Sequence, residues 1–234
     1  MSAEIVIYAF LAGILPSFIW LIFWLHEDAD HPEPHSIIAA AFIGGAISVL
    51  IAALLEKYAA GIFSDPSTRY KIWASIEEIV KFLVVASIAL KASYNDEPID
   101  AMIYAVSVAL GFAAMENSLF ILGILSNGDV TQGILTGGMR FIGATLVHVV
   151  SSALIGYCLG WAFYRSSRSK FLACIIGLIA AISLHAYFNL SIVDADAVGV
   201  LKIFTWIWAA VVVLIILFEE VKGVKPQRHS IDCG

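Results

Sequence analysis

Seven apolar runs, each about as long as a membrane-spanning helix, occupy most of this chain. A helix needs about 20 apolar residues to cross the hydrocarbon layer of a bilayer, because each residue adds about 1.5 Å to its length. The polar segments between the runs are too short for a soluble domain. The sequence therefore predicts an all-α fold, a polytopic transmembrane helical bundle of about seven spans. The runs are residues 5–25, 36–55, 72–90, 101–125, 141–164, 171–193 and 197–218.

The composition agrees with a membrane protein, since 61% of the residues are hydrophobic and the mean hydropathy is +0.92. Only 14% are charged, whereas a soluble domain has roughly 25%. The net charge is -6 and Lys and Arg are not clustered, which argues against a nucleic-acid partner. We expect one transmembrane helical domain, residues 1–218, followed by a polar C-terminal tail, residues 219–234.

An odd number of spans places the two termini on opposite sides of the membrane. The side that holds the C-terminus carries more Lys and Arg than the other side, and these residues concentrate on the cytoplasmic side of membrane proteins. The sequence therefore predicts a multi-pass integral membrane protein with a cytoplasmic C-terminus and an external N-terminus. The first run has no preceding Lys or Arg and no small-residue cleavage site after it, so we expect it to be retained as a span.

Several polar and ionisable side chains interrupt the apolar runs, where each charge costs a few kcal/mol and marks a functional site by default. The spans alternate in direction, so depth follows from the number of residues between each side chain and the end of its run. Four of these residues lie within roughly 7 to 14 Å of the same membrane surface, and we therefore expect them to form one site. The four are Glu77, Glu116, His148 and His185; the remaining polar residues are Glu78, Lys81, Asn117 and Asn189.

The two adjacent glutamates of the third run are predicted to have different roles. Lys81 follows Glu77 by four residues and Glu78 by three, so on a helix it can neutralise one carboxylate while the other stays available. Neighbouring residues on a helix point about 100° apart. One glutamate is therefore expected to pair with Lys81 and the other to face the site.

Buried carboxylates beside imidazoles suit two kinds of hydrolysis. A carboxylate can take a proton from water while a histidine stabilises an oxyanion, which needs no metal. The alternative is a divalent metal such as Zn²⁺, held by Glu116, His148 and His185 with a second glutamate as base. The sequence contains no HExxH, GxSxG or paired GxGD motif. Both kinds of chemistry stay open.

Five short motifs in a fixed order resemble the PrsW family of membrane peptidases, within the superfamily that includes the type II CAAX prenyl endopeptidases. Each motif is weak alone, and together they extend over most of the chain. They are Pro32–Glu33–Pro34, the EExxK element with Glu77, Glu78 and Lys81, the GFAxxEN element of residues 111–117, Arg140 with His148, and His185 with Asn189.

The resemblance implies an intramembrane endopeptidase of a prokaryotic plasma membrane, which cuts a membrane-anchored protein, such as an anti-sigma factor, near its external end. It implies that Glu77 or Glu78 is the water-activating base, and it does not decide between a metal-free site and a metal site. The implied catalytic residues are Glu77, Glu78, Glu116, His148, His185 and Asn189, with Lys81, Asn117 and Arg140 in support.

Two other classes are compatible with the buried charges, a proton- or ion-coupled transporter and a non-catalytic scaffold of the same fold. A transporter would tend to show internal repeats and interrupted helices, which the sequence lacks. The loop of residues 26–35 contains three His and four acidic residues that can bind a cation, but it lies on the face opposite the site and is predicted to be a solvated loop. Residues 127–140 are rich in glycine and are predicted to form a loop beside the site, either a gate for substrate entry or a plain flexible loop.

Overall fold

The computed structural model describes residues 3–27, 32–88, 93–193 and 195–226. Every regular element in these parts of the chain is helical, which confirms the all-α prediction. The helices are α1 (Ala3–Glu27), α2 (His35–Ile62), α3 (Pro66–Ile88), α4 (Asp100–Ser126), α5 (Val130–Met139), a π-helical turn (Arg140–Ala144), α6 (Thr145–Trp161), α7 (Ser167–Val193) and α8 (Ala197–Lys222).

Five of the described helices, α1, α2, α4, α7 and α8, are long and apolar enough to cross a membrane. α6 is apolar but shorter, and α3 has a lower mean hydropathy because it carries Glu77, Glu78 and Lys81. The polytopic helical bundle is therefore confirmed, whereas the number of seven spans stays a prediction. α8 continues to Lys222, four residues beyond the end of the seventh predicted run.

α4 is the central helix of the bundle and packs against α1, α2 and α6. Its residues 100–114 are all buried. A Cβ atom on Gly111 would overlap the carbonyl oxygen of Phe42, and one on Gly45 would overlap the carbonyl oxygen of Val108. Glycine at these two positions therefore lets the backbones of α2 and α4 approach closely and fixes their register.

The outer helices expose large apolar side chains, as expected for a surface that faces lipid. Leu54 on α2 is 70% exposed and Trp206 on α8 is 71% exposed. In water such a surface would be unfavourable, since soluble proteins rarely expose large contiguous apolar patches. The bundle therefore presents apolar side chains on its outer surface, while Glu77, Glu78 and Lys81 lie inside it.

The glycine-rich segment of residues 127–140 is mostly helical, so the prediction of a loop there is wrong. The turn is short, with Gly128 at φ 84°, and Asp129 Oδ1 accepts a hydrogen bond from the backbone N–H of Gln132 at 2.8 Å. That bond caps the start of α5. Gly133 packs against the side chain of Leu125. α5, the π turn and α6 then follow without a break.

Candidate functional site

Four helices place ionisable side chains around one buried point in the bundle. α3 supplies Glu77, α6 supplies His148 and α7 supplies His185, and all three are buried. The Oε2 atom of Glu77 lies 3.7 Å from His148 Nδ1 and 3.7 Å from His185 Nε2. Glu116 on α4 joins them through His148 Nε2, at 2.9 Å. The structure thus brings together the four residues for which the sequence predicts one depth.

Glu78, the second of the adjacent glutamates, is fully engaged by neighbouring donors. Its Oε1 accepts from Lys81 Nζ at 2.6 Å and lies 2.7 Å from His185 Nδ1. Its Oε2 accepts from the hydroxyl of Ser152 at 3.2 Å. The side chains of Glu78 and Lys81 are 0% and 1% exposed. Lys81 therefore neutralises Glu78 and leaves Glu77 facing the site.

Glu116 is held by Arg140, which the π turn directs toward α4. Arg140 Nη2 lies 2.7 Å from Glu116 Oε2, and Arg140 Nε donates to Asn117 Oδ1. The amide of Asn117 donates in turn to Thr145 Oγ1 at 3.0 Å. π turns are rare and are frequently found at functional sites. This one fixes the side chain that neutralises Glu116.

The hydrogen bonds to Glu78 and Glu116 decide which ring nitrogens of the histidines are free. Glu78 accepts the Nδ1–H of His185, and Glu116 accepts the Nε2–H of His148. The lone pairs of His185 Nε2 and His148 Nδ1 therefore point toward Glu77. Lys81 Nζ lies 3.2 Å from His148 Nδ1 and can donate to that nitrogen only while no metal occupies its lone pair. A carboxylate behind each imidazole is the arrangement that usually orients metal-binding histidines.

The Oε2 atom of Glu77 is buried and has no hydrogen-bond partner among the described residues. The two imidazole nitrogens at 3.7 Å are too far for hydrogen bonds. Leaving a buried polar atom unpaired costs about 1–3 kcal/mol, so such atoms are exceptional. Glu77 Oε2 is therefore the atom of the site that is available to a water molecule or a cation.

Glu77, His148 and His185 also fit a divalent metal. Their ligand atoms all lie within 4.8 Å of one another. Two histidines and one carboxylate are a ligand set of catalytic zinc sites, which leave a fourth position for water. The carboxylate ligand predicted from the sequence is Glu116, whereas this group contains Glu77. Glu116 pairs with Arg140 and His148.

A cavity of about 530 Å³ lies against this cluster. Binding pockets for small ligands have similar volumes, about 300–1,000 Å³. Its aromatic wall includes Trp73, Phe188 and Phe204. Asn189, one turn after His185 on α7, also lines it. The carboxylate, imidazole, guanidinium and amide side chains that line the cavity are Glu56, Glu77, Glu116, Arg140, His148, His185 and Asn189.

Glu56 is a residue of the cavity that the sequence analysis missed. The predicted second span ended at Leu55, so Glu56 was assigned to the polar segment that follows. α2 continues to Ile62 and places the carboxyl group of Glu56 against that of Glu77. The residues after Leu55 include helix-forming Glu, Lys and Ala and no proline before Pro66, which is the signal that could have extended the helix.

Comparison with known proteins agrees with this geometry. The family model described as PrsW family intramembrane metalloprotease matches residues 33–218. A protease PrsW of Geobacillus kaustophilus is 28% identical over 163 residues, covering 68% of this chain and 69% of the relative. A protease PrsW of Clostridioides difficile is 25% identical over 234 residues, covering 94% of this chain and 90% of the relative. No solved structure matches.

The matched region contains all the residues of the buried cluster, from α3 to α7. The comparisons and the cluster support an intramembrane protease and do not favour the transporter or the scaffold. A membrane-bound substrate and a lipid environment follow from this activity. Since the family model covers most of the chain and the curated relatives extend over the same helices, the chain belongs to the PrsW family of intramembrane proteases.

Proposed function

We propose that this protease hydrolyses a peptide bond of a membrane-anchored protein at a reaction centre formed by Glu77, His148 and His185. One observation carries the proposal, which is the unpartnered Oε2 atom of Glu77, buried 3.7 Å from a nitrogen of each imidazole. The centre faces the cavity of about 530 Å³, so a substrate segment there would reach it.

Glu77, His148 and His185 would hold the divalent metal, such as zinc, that the family description implies. A metal ion bound there supplies Lewis acidity, which activates water near neutral pH and polarises the carbonyl group. Glu78 and Glu116 keep the two rings oriented through their hydrogen bonds. The family description therefore favours metal-dependent hydrolysis over the metal-free alternative. The histidine tautomers inferred from those hydrogen bonds support the same choice.

Glu56 is the proposed proton acceptor. Its carboxyl group lies beside Glu77 in the cavity and forms no salt bridge among the described residues, whereas Glu116 is paired with Arg140. Glu56 would take a proton from the attacking water as the C–O bond forms. It would then return that proton to the amine nitrogen as the C–N bond breaks. The family resemblance implies Glu77 or Glu78 as the base. In this proposal Glu77 binds the water or the metal, and Glu78 stays paired with Lys81.

Asn189 and Arg140 are proposed to bind the substrate. Both line the cavity, and both carry N–H donors. Donors placed where negative charge develops on a carbonyl oxygen stabilise the transition state, and removing one typically costs about 10²–10³ in kcat. The amide of Asn189 is the better candidate for that oxygen, because Arg140 is already paired with Glu116.

The proposed substrate is a single-span membrane protein, and an anti-sigma factor is the class that the family resemblance suggests. The cavity is lined by the last turns of α2 and α7 and the beginning of α3, so it lies toward one end of the bundle. By the distribution of Lys and Arg, this end is external and the C-terminus is cytoplasmic. The membrane would then be a prokaryotic plasma membrane.

The test is cleavage of a single-span reporter by the purified chain in proteoliposomes. We expect Glu77→Gln to lower the rate by at least about 10³-fold, and Glu56→Gln to lower it by about 10²–10⁴-fold, the range for a general base. Glu219→Gln is the control, since Glu219 is an exposed carboxylate far along the chain. Melting temperatures check the fold of each variant. Cleavage by Glu77→Gln at the wild-type rate would refute the proposal.

A further inference from the structure

A second group of carboxylates lies at the other end of the bundle. Glu33 precedes α2, Asp96 precedes α4 and Asp100 is the first residue of α4. One carboxylate oxygen from each lies within 4.8 Å of the others. Asp100 comes 16 residues before Glu116 on the same helix, which corresponds to about 24 Å of rise. This group, the loop carboxylates, is therefore separate from the reaction centre.

One carboxylate oxygen of Asp100 accepts hydrogen bonds from the protein and the other accepts none. Its Oδ2 accepts the backbone N–H groups of Asp96 at 2.8 Å and Glu97 at 2.6 Å. Its Oδ1 is buried and has no hydrogen-bond partner, although the residue is only 1% exposed. The side chain of Asp100 also interacts with that of Glu33. Two ionised carboxylates repel each other, so this contact requires either a shared proton or a cation between them.

Glu33 is buried as well, with 8% exposure, and the hydroxyl of Tyr104 donates to its Oε2. The prediction that the loop of residues 26–35 is solvated is wrong for Glu33. Residues 28–31 of this loop lie outside the described residues. Among residues 3–27, 32–88, 93–193 and 195–226, no salt bridge involves any of the loop carboxylates. A buried carboxylate must be protonated or paired with a cation, because a buried charge without compensation is costly.

We propose that Glu33, Asp96 and Asp100 bind a hard divalent cation, Ca²⁺ or Mg²⁺. Both ions prefer carboxylate and carbonyl oxygens and complete their coordination with water. Asp96 is exposed, and a cavity of about 280 Å³ lined by Glu33, Tyr94 and Asp96 gives the ion a path and room for water. The absence of nitrogen or sulfur ligands distinguishes this site from the histidine-containing reaction centre.

The bound cation would join the loop before α2 to the start of α4. α4 is the central helix and also carries Glu116, so its N-terminal end would be anchored on the face opposite the cavity. The bound cation would stabilise the fold and would not take part in the reaction, because its ligand oxygens lie about 24 Å from the reaction centre along α4.

The test is thermal unfolding of the purified full chain in detergent, treated with chelator and then titrated with CaCl₂ or MgCl₂. We expect at least one of the two ions to raise Tm by about 4 °C at ten times its Kd. Asp96→Asn should raise the midpoint of that titration by at least about tenfold. It should not lower the cation-free Tm, because Asp96 is exposed and its neutralisation relieves repulsion among the loop carboxylates. Glu219→Gln, another exposed carboxylate, is the matched control and should behave as wild type.

Terbium luminescence gives a second readout, because Tb³⁺ takes the same oxygen ligands and is excited through nearby tyrosine. Tyr104 donates to Glu33, so a bound ion would lie close to its ring. We expect emission that Ca²⁺ or Mg²⁺ displaces and that Asp100→Asn loses. If neither ion changes Tm, or if Asp96→Asn titrates like wild type, the loop carboxylates do not bind a cation.

Discussion

Replacing Glu78 with glutamine is expected to lower the stability of the bundle as well as its activity. The Glu78 carboxylate is 0% exposed and accepts from Lys81 at 2.6 Å, from His185 at 2.7 Å and from Ser152 at 3.2 Å. Glutamine keeps one oxygen but no charge, so the ammonium of Lys81 would stay buried without its counter-ion. Breaking such a pair costs about 3–5 kcal/mol. For a chain of this size that lowers Tm by about 6–20 °C, at 2–4 °C per kcal/mol.

A double-mutant cycle separates this effect from a general loss of packing. Glu78→Gln, Lys81→Met and the double variant are unfolded in SDS-containing mixed micelles, and we expect a coupling energy of about 2 kcal/mol or more. Glu77→Gln is the matched control on the same helix, since Lys81 forms its salt bridge with Glu78 and not with Glu77. We expect it to change the free energy of unfolding by less than about 1 kcal/mol. A Glu78→Gln protein as stable as wild type, or strictly additive single effects, would refute the structural role of this pair.

Two further predictions concern packing and pH. Gly111→Ala should destabilise the bundle by about 1–3 kcal/mol, because its Cβ would meet the carbonyl oxygen of Phe42. Gly123→Ala on the same helix is the control and should be neutral or stabilising, because the space around Gly123 is open. Equal melting temperatures of the two variants would contradict this prediction. The hydroxyl and backbone N–H of Thr68 donate to Asp65 and hold the pKa of its carboxyl below the usual value. This cap therefore stabilises the start of α3 above about pH 4 and is lost as the pH falls through the lowered pKa. The protection of amides in the first turn of α3, measured relative to their intrinsic exchange rates, should fall only in that acid range. Asp65→Ala should remove this pH dependence.

Apolar length was sufficient to predict the helices that face lipid, because in a bilayer the hydrocarbon thickness sets the length of a span. The prediction of a loop at residues 127–140, which rested on their glycine content, was wrong. Glycine lowers helix propensity by about 1 kcal/mol, but tertiary packing can outweigh it. Here the cap at Asp129 and the contact between Gly133 and Leu125 support the helix.

For the site, the rule that buried charges converge was enough to group Glu77, Glu116, His148 and His185. The spacing of Lys81 predicted that one glutamate would be neutralised, but not that it would be Glu78, since that depends on the rotation of α3 against α6 and α7. Glu56 was missed because it follows an apolar run instead of interrupting one. The loop carboxylates could not be grouped from the sequence either, because they are distant in sequence and meet only after α2 and α4 pack.

Metal content of the purified chain tests the reaction centre most directly. We expect about one equivalent of a transition metal such as zinc in the wild type and in Glu116→Gln, and less than about a tenth of that in Glu77→Ala, His148→Ala and His185→Ala, in parallel with their loss of cleavage. A wild-type protein that cleaves its substrate at full rate after all bound metal has been removed, or alanine variants that retain the metal, would contradict the proposed centre.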